Sequence, residues 1–155
     1  MEDDFLLQVM NQNKLQMDKV IACNQYTEKF GLQLSEQEAL LLVDERKRSL
    51  KEEERIEFGE GVLPKLIFAF CDSPYIYQDN YVESIATLQD IFYLYKNESL
   101  DELSDDELIS YMKEAFEGEC EGSLEHLEDT ALEAFAREIR EKTHGFLGKY
   151  EEEDE

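Results

Sequence analysis

Apolar residues return every three or four positions through most of this chain, the spacing of helices with one buried stripe. Phe5, Leu6, Val9 and Met10 share one face. Asn11-Gln12-Asn13 interrupts the pattern; Met17, Val20, Ile21 and Asn24 resume it, with Asn13 placed to cap the second piece. Residues 3–30 therefore read as one long helix or two short ones. Gly31 suits the left-handed position just past a helix end. Ser35-Glu36-Gln37-Glu38 is a capping box, in which the serine hydroxyl and the Glu38 carboxylate each serve the other's backbone amide. Ala39, Leu40, Leu42, Val43, Arg46 and Leu50 carry that helix to about Ile56, with Asp44 and Arg48 as an i,i+4 pair. Gly59 and Gly61 break the run.

From Val62 to Tyr95 the chain is at its least charged and most aromatic. Pro64 fits a first helical turn, where its missing amide is harmless. Leu63, Leu66, Ile67 and Phe70 share a face, and Phe68, Ala69 and Cys71 fill the others, which predicts a helix buried all round. Ser73 precedes Pro74 and is pushed out of the α region, so the helix ends there. Tyr75 to Asp79 is an aromatic loop. Asn80 and Glu83 make a near-capping-box for a helix over 81–96 that carries Ile85, Leu88, Phe92 and Tyr95 as one stripe.

Ser104-Asp105-Asp106-Glu107 repeats the capping box, flanked by Leu103 and Leu108 as a hydrophobic staple. Its helix turns Leu108, Ile109, Met112, Ala115 and Phe116 inward. Gly122-Ser123 opens a last helix with Leu124, Leu127, Ala131, Leu132, Phe135 and Ile139 inward. The likeness of the two capped helices continues into no longer period, so a solenoid is rejected. These elements predict an all-α fold, a compact array of about five to seven helices around the central helix near 81–96. Residues 1–148 read as one domain, and 149–155 as a disordered acidic tail.

The succession FGLQLSEQEA, RIEFGEG, FCDSPYI, IFYLYKNES and SDDELISYMK, spanning roughly Lys19 to Ser123, resembles a family of short acidic proteins from anaerobic Gram-positive bacteria. The resemblance implies a bacterial cytoplasmic protein and carries over no active site.

Composition narrows the function classes. The net charge is −24 over 155 residues, and 21 acidic against 5 basic residues lie from Glu98 onward. Such a field repels nucleic-acid backbones and anionic membranes and suits basic protein partners. The 42% apolar content still suffices for a core. No apolar stretch nears the roughly 20 residues of a membrane span. The first residues carry acid where a signal peptide needs a basic region. Cys23, Cys71 and Cys120 are odd in number and form no Cys-x-x-Cys pair, which fits reduced, buried thiols in a cytoplasmic protein.

No catalytic or cofactor signature stands out. Glu141 and His144 have the Glu-x-x-His spacing of di-iron bundles, but a second copy is missing. Cys120 and His126 lack the second pair that zinc needs. The acidic run 101–106 lacks the glycine of a calcium loop. Cys71 follows an apolar run that would keep its thiol neutral and inert. Gly59-Glu60-Gly61 lacks the lysine and the strand of a phosphate loop. The basic cluster Arg46, Lys47, Arg48, Lys51 and Arg55 is expected to neutralise neighbouring acid. No cofactor or metal is expected.

The aromatic loop is the remaining candidate. Tyr75, Tyr77, Asn80 and Tyr81 concentrate rigid rings with polar tips, which suits an interface or the mouth of a ligand pocket. The reading is a non-enzymatic protein-interaction module, able to form a homodimer. The alternatives are a small enzyme or ligand binder with a pocket near that loop, and an acidic mimic of DNA that sequesters a basic protein.

Overall fold

Serine caps fix where two of the main helices begin. In the computed structural model, which describes residues 14–57 and 61–153, with side chains as far as residue 142, Ser35 accepts from the Glu38 amide at 3.1 Å. The Glu38 carboxylate accepts from the Ser35 amide at 3.0 Å, so the expected box is complete. Ser104 and Glu107 form the same box. The all-α expectation holds, and no strand occurs among the described residues.

The chain divides into two compact units, Met1–Asp90 and Ile91–Glu155, and the division falls within one helix. In the first unit, α1 (14–22) and α2 (Asn24–Thr27) are separated by a turn at Cys23. A 3₁₀ turn, Glu28–Phe30, follows and ends on Gly31, whose φ of +78° is the left-handed stop the sequence predicts. The proposed cap at Asn13 lies outside the described residues. The Asn24 side chain joins this region to the next extended segment, donating to the Leu34 carbonyl at 2.9 Å and accepting from its amide at 2.8 Å.

α3 (Glu36–Glu52) stops short of the expected Ile56 because Glu54 turns to φ +55°. Two cations of its cluster, Arg46 and Arg48, are paired locally. Arg46 is buried and donates to Glu57 at 2.7 Å, and Glu57 also accepts from the Val62 amide at 3.2 Å. Gly61 sits at φ +75° beside this pair, where a Cβ would overlap the Glu57 carboxylate. Arg48 pairs with Glu45, Glu52 and Asp90 instead of the expected Asp44. The longer Glu45 and Glu52 side chains reach it one helical turn away on either side.

α4 (Leu63–Phe70) buries Leu63, Leu66, Ile67 and Phe70 as predicted. It is not buried all round: Phe68 and Lys65 face outward, so the helix has one covered face and one open one. α5 (Tyr81–Glu98) contributes Tyr81, Ile85 and Leu88 to the first unit's core. Gln89 is also buried there and reaches the Leu42 carbonyl of α3.

The second unit starts with Ile91, Phe92 and Tyr93, all buried. α6 (Asp105–Glu117) turns Leu108, Ile109, Met112, Ala115 and Phe116 inward. Gly122, at φ +84°, returns its amide to the Phe116 carbonyl at 2.8 Å. The expected single last helix is broken into three parts. α7 (Leu124–His126), capped by Ser123, runs into a π turn, Leu127–Ala131, and then into α8 (Leu132–Glu153). The π turn leaves the Glu128 carbonyl to accept the buried Tyr95 hydroxyl. A tertiary hydrogen bond of this kind is a recognised cause of wide helical turns. Leu127, Ala131, Leu132 and Ala136 are consequently the buried set, while Leu124, Phe135 and Ile139 are half-buried. Phe135 stacks on Tyr111 with ring centres 3.8 Å apart. Helical backbone continues into the stretch 149–155 as far as Glu153; residues 154 and 155 lie outside the described residues.

Candidate interaction surface

The loop after α4 is pre-folded by its own polar groups. Ser73 is buried and accepts from the Tyr75 amide at 3.3 Å through its hydroxyl and from the Ile76 amide at 3.2 Å through its carbonyl. Asn80 turns back into the loop: its side chain accepts from the Tyr77 amide at 2.9 Å and donates to the Tyr75 carbonyl at 3.1 Å. It was expected to start α5. The shorter route is to the loop, because a 3₁₀ turn, Gln78–Asn80, leads directly into that helix. A paired hydrogen bond fixes the loop further: the Gln78 side chain accepts from the Gln33 amide at 2.8 Å and donates to its carbonyl at 2.9 Å.

The four residues singled out by the sequence are therefore not equivalent. Tyr77 stands out into solvent, Tyr75 and Asn80 are half-buried, and Tyr81 is fully buried in the first unit's core. Burial raises the Tyr81 hydroxyl well above the ordinary tyrosine range, with Thr27 facing it. Tyr81 acts here as packing, and the loop's surface is made by Tyr77 with Tyr75 at its edge.

A second group of rings belongs to the same unit. Tyr26 meets Phe68 edge-on at 5.2 Å and Phe30 at 5.9 Å, yet the three remain 43%, 47% and 40% exposed in the order Tyr26, Phe68, Phe30. The Lys29 ammonium lies 3.9 Å from the centre of the Tyr26 ring and 5.4 Å from that of Phe30, the geometry of a cation held on a π face. Phe30 and Gln33 are near neighbours in sequence, so the Gln33–Gln78 pair also ties this group to the tyrosine loop. Sequence reasoning placed Phe68 in the core and used Phe30 only as a helix end. The i,i+4 spacing of Tyr26 and Phe30 around Lys29 was the available signal.

The polar candidates come apart. Cys120 is buried and His126 exposed, and no group of three or more His, Cys, Asp or Glu with metal-binding geometry occurs among the described residues. The His144 side chain lies outside them. Cys71 is buried, its thiol directed to the Phe68 carbonyl, and no disulfide joins the three cysteines. In the second unit an open depression of about 310 Å³ is lined by Ser123, Glu125, His126, Asp129 and Thr130. Its polar groups are partly used by the helix cap, since Ser123 accepts from the His126 amide. No helix among the described residues is long and apolar enough to cross a membrane.

Residues 19–145 match a family of unknown function, DUF6323. The chain belongs to DUF6323. The match takes in α2 to α7, the tyrosine loop and the exposed rings, so every part of this surface lies inside the DUF6323 region. No curated protein and no solved structure matches the chain.

Proposed function

We propose that this DUF6323 protein is a non-enzymatic interaction module of the bacterial cytoplasm, and that it binds a partner protein on the aromatic surface of its first unit. The observation that carries this reading is the trio Tyr26, Phe30 and Phe68. Rings that pack on each other and still face solvent are interface material, because they bring large apolar area at little cost in side-chain freedom. The surface is pre-organised, since Asn80 and the Gln33–Gln78 pair hold the adjoining loop before any partner arrives.

Lys29 decides the partner's chemistry. It is an exposed cation over the rings, and against the repulsion that a chain of net charge −24 exerts on acids it gives a carboxylate beside an apolar or aromatic side chain a local partner. The test uses two peptides of the same apolar content, one carrying Asp and Glu, the other Lys, titrated into the isotope-labelled protein. The acidic peptide should shift the amides around Tyr26, Phe30, Phe68 and Tyr77, and Lys29→Glu should reverse the preference. Equal responses to both peptides, or shifts scattered away from these residues, would rule the surface out.

A further inference from the structure

Inside the first unit, Glu45, Arg48 and Ser49 on α3 meet Asp90 on α5. Arg48 donates through Nη2 both to Glu45 and to Asp90 Oδ2, the latter at 3.1 Å, and through Nη1 to Glu52 at 2.6 Å. One cation thus serves three carboxylates. Glu45 and Asp90 accept from the same nitrogen, so their accepting oxygens lie within about 6 Å of each other. Two carboxylates that close disfavour double ionisation. The other oxygen of Asp90, Oδ1, is buried and accepts from no N–H, with the Glu45 carboxyl and the Ser49 hydroxyl beside the group. A buried carboxylate oxygen so poorly supplied with donors is costly, and a proton held on the pair lets the two carboxyls hydrogen-bond to each other.

We propose that Glu45 and Asp90 share one proton at neutral pH, and that this proton is a latch between α3 and α5, closed while it is held and loosened when it is lost. The titratable groups facing Asp90 are Glu45 and Arg48 of α3, with the Ser49 hydroxyl beside them; Glu52 reaches the cluster only through Arg48. Burial first, then the hydrogen bond and charge of Glu45, push the Asp90 carboxyl up to about 7, against the opposing pull of Ser49 and Arg48. The hydrogen bond from Arg48 holds Glu45 below its ordinary range. Asp90's side chain is 37% exposed, so the proton exchanges with solvent and the latch can respond.

The direction follows from linkage. Between the usual aspartate value and about 7 the folded chain keeps a proton that the unfolded chain has released, so stability falls as pH rises through that window. Glu45 acts oppositely, but only below its ordinary value, which leaves the interval from about pH 5 to about pH 7 to Asp90. The limit for one proton is about tenfold in the unfolding equilibrium per pH unit, and exposure to water reduces it to several-fold.

The test is carboxyl carbon NMR of the intact chain across pH, with amide exchange of α3 in the parent and in Asp90→Asn. Asp90 should titrate near neutrality with a linked inflection at Glu45, and Glu45→Gln should return it towards the ordinary aspartate range. Asp90→Asn, a permanently neutral side chain, should protect α3 several-fold better than the parent at about pH 8 and equally at about pH 5. Titration of Asp90 near 4, or identical α3 exchange profiles in parent and variant, would overturn the proposal. Should the variant fail to fold, the titration of the parent chain decides alone.

Discussion

Asp90 and Lys96 lie on the same helix, and the two units treat them in opposite ways. Asp90 and its neighbours Glu45 and Glu52 compete for one guanidinium. Lys96 is buried, and its ammonium donates to the Leu103 carbonyl and pairs with Asp105 at 2.9 Å. Close by, Arg140 holds the Glu98 carboxylate and carbonyl together with Glu133. In a chain this acidic, cations are the scarce component. Where one is shared among too many acids, a proton has to make up the difference. Where each cation has a carbonyl and one or two carboxylates within reach, the polar centre is complete without one.

Replacing the scarce cation gives the largest expected effect. Lys96→Met should cost about 2–3 kcal/mol in urea unfolding, because it strands the Leu103 carbonyl and removes the partner of Asp105. The figure is set below that of a fully buried pair because Asp105 is 43% exposed and can turn to water. Asp90→Asn, by contrast, should be neutral or stabilising above pH 7. If both substitutions destabilise alike at that pH, the contrast between the two centres is false.

Tyr95→Phe should cost about 1–1.5 kcal/mol, since it removes the donor to the Glu128 carbonyl while keeping the ring. The same residue gives a pH test in the second unit. Burial first, then the carboxylates of Glu133, Glu128, Glu98 and Asp129, push its hydroxyl up to about 12. The folded chain therefore keeps this proton above pH 10, where the unfolded chain loses it, and stability should fall as pH rises from about 10 to about 12. Tyr95→Phe should lose less over that interval than the parent; an identical alkaline profile would show that the hydroxyl is not held as described.

The capped starts at Ser35 and Ser104 were readable because a capping box is local: four residues contain both donors and both acceptors. Gly31 was readable for the same reason. The π turn was not, because its cause is the Tyr95 hydroxyl, which is remote in sequence. The exposure of Phe68 was hidden too. An apolar run shows which residues could be buried, but the uncovered face of α4 depends on what packs against it. Asn80 illustrates a choice between two local rules: it could cap α5 or close the loop before it, and composition does not rank them. Of the four residues proposed as a site, Tyr77 best kept its surface role, and the neighbouring rings Tyr26, Phe30 and Phe68 came to light only through their geometry. Ser35→Ala and Ser104→Ala should each cost about 1 kcal/mol, which checks that equal local signals have equal weight in the two units.

The smallest expected effect is the most informative about function. Tyr77→Ala should change stability by less than about 0.5 kcal/mol, as surface substitutions away from special contacts usually do. Its ring is 57% exposed, and the loop beneath it is held by Asn80, Gln78 and Ser73 rather than by the tyrosine itself. Asn80→Ala should cost about 1 kcal/mol, because it releases both the Tyr77 amide and the Tyr75 carbonyl. The pair separates scaffold from surface. If the loop is an interaction site, Tyr77→Ala should weaken binding of the acidic peptide without lowering the unfolding midpoint. If Tyr77→Ala instead destabilises as much as a core substitution such as Phe92→Ala, about 3–5 kcal/mol, the ring belongs to the fold and the interaction surface shrinks to Tyr26, Phe30 and Phe68.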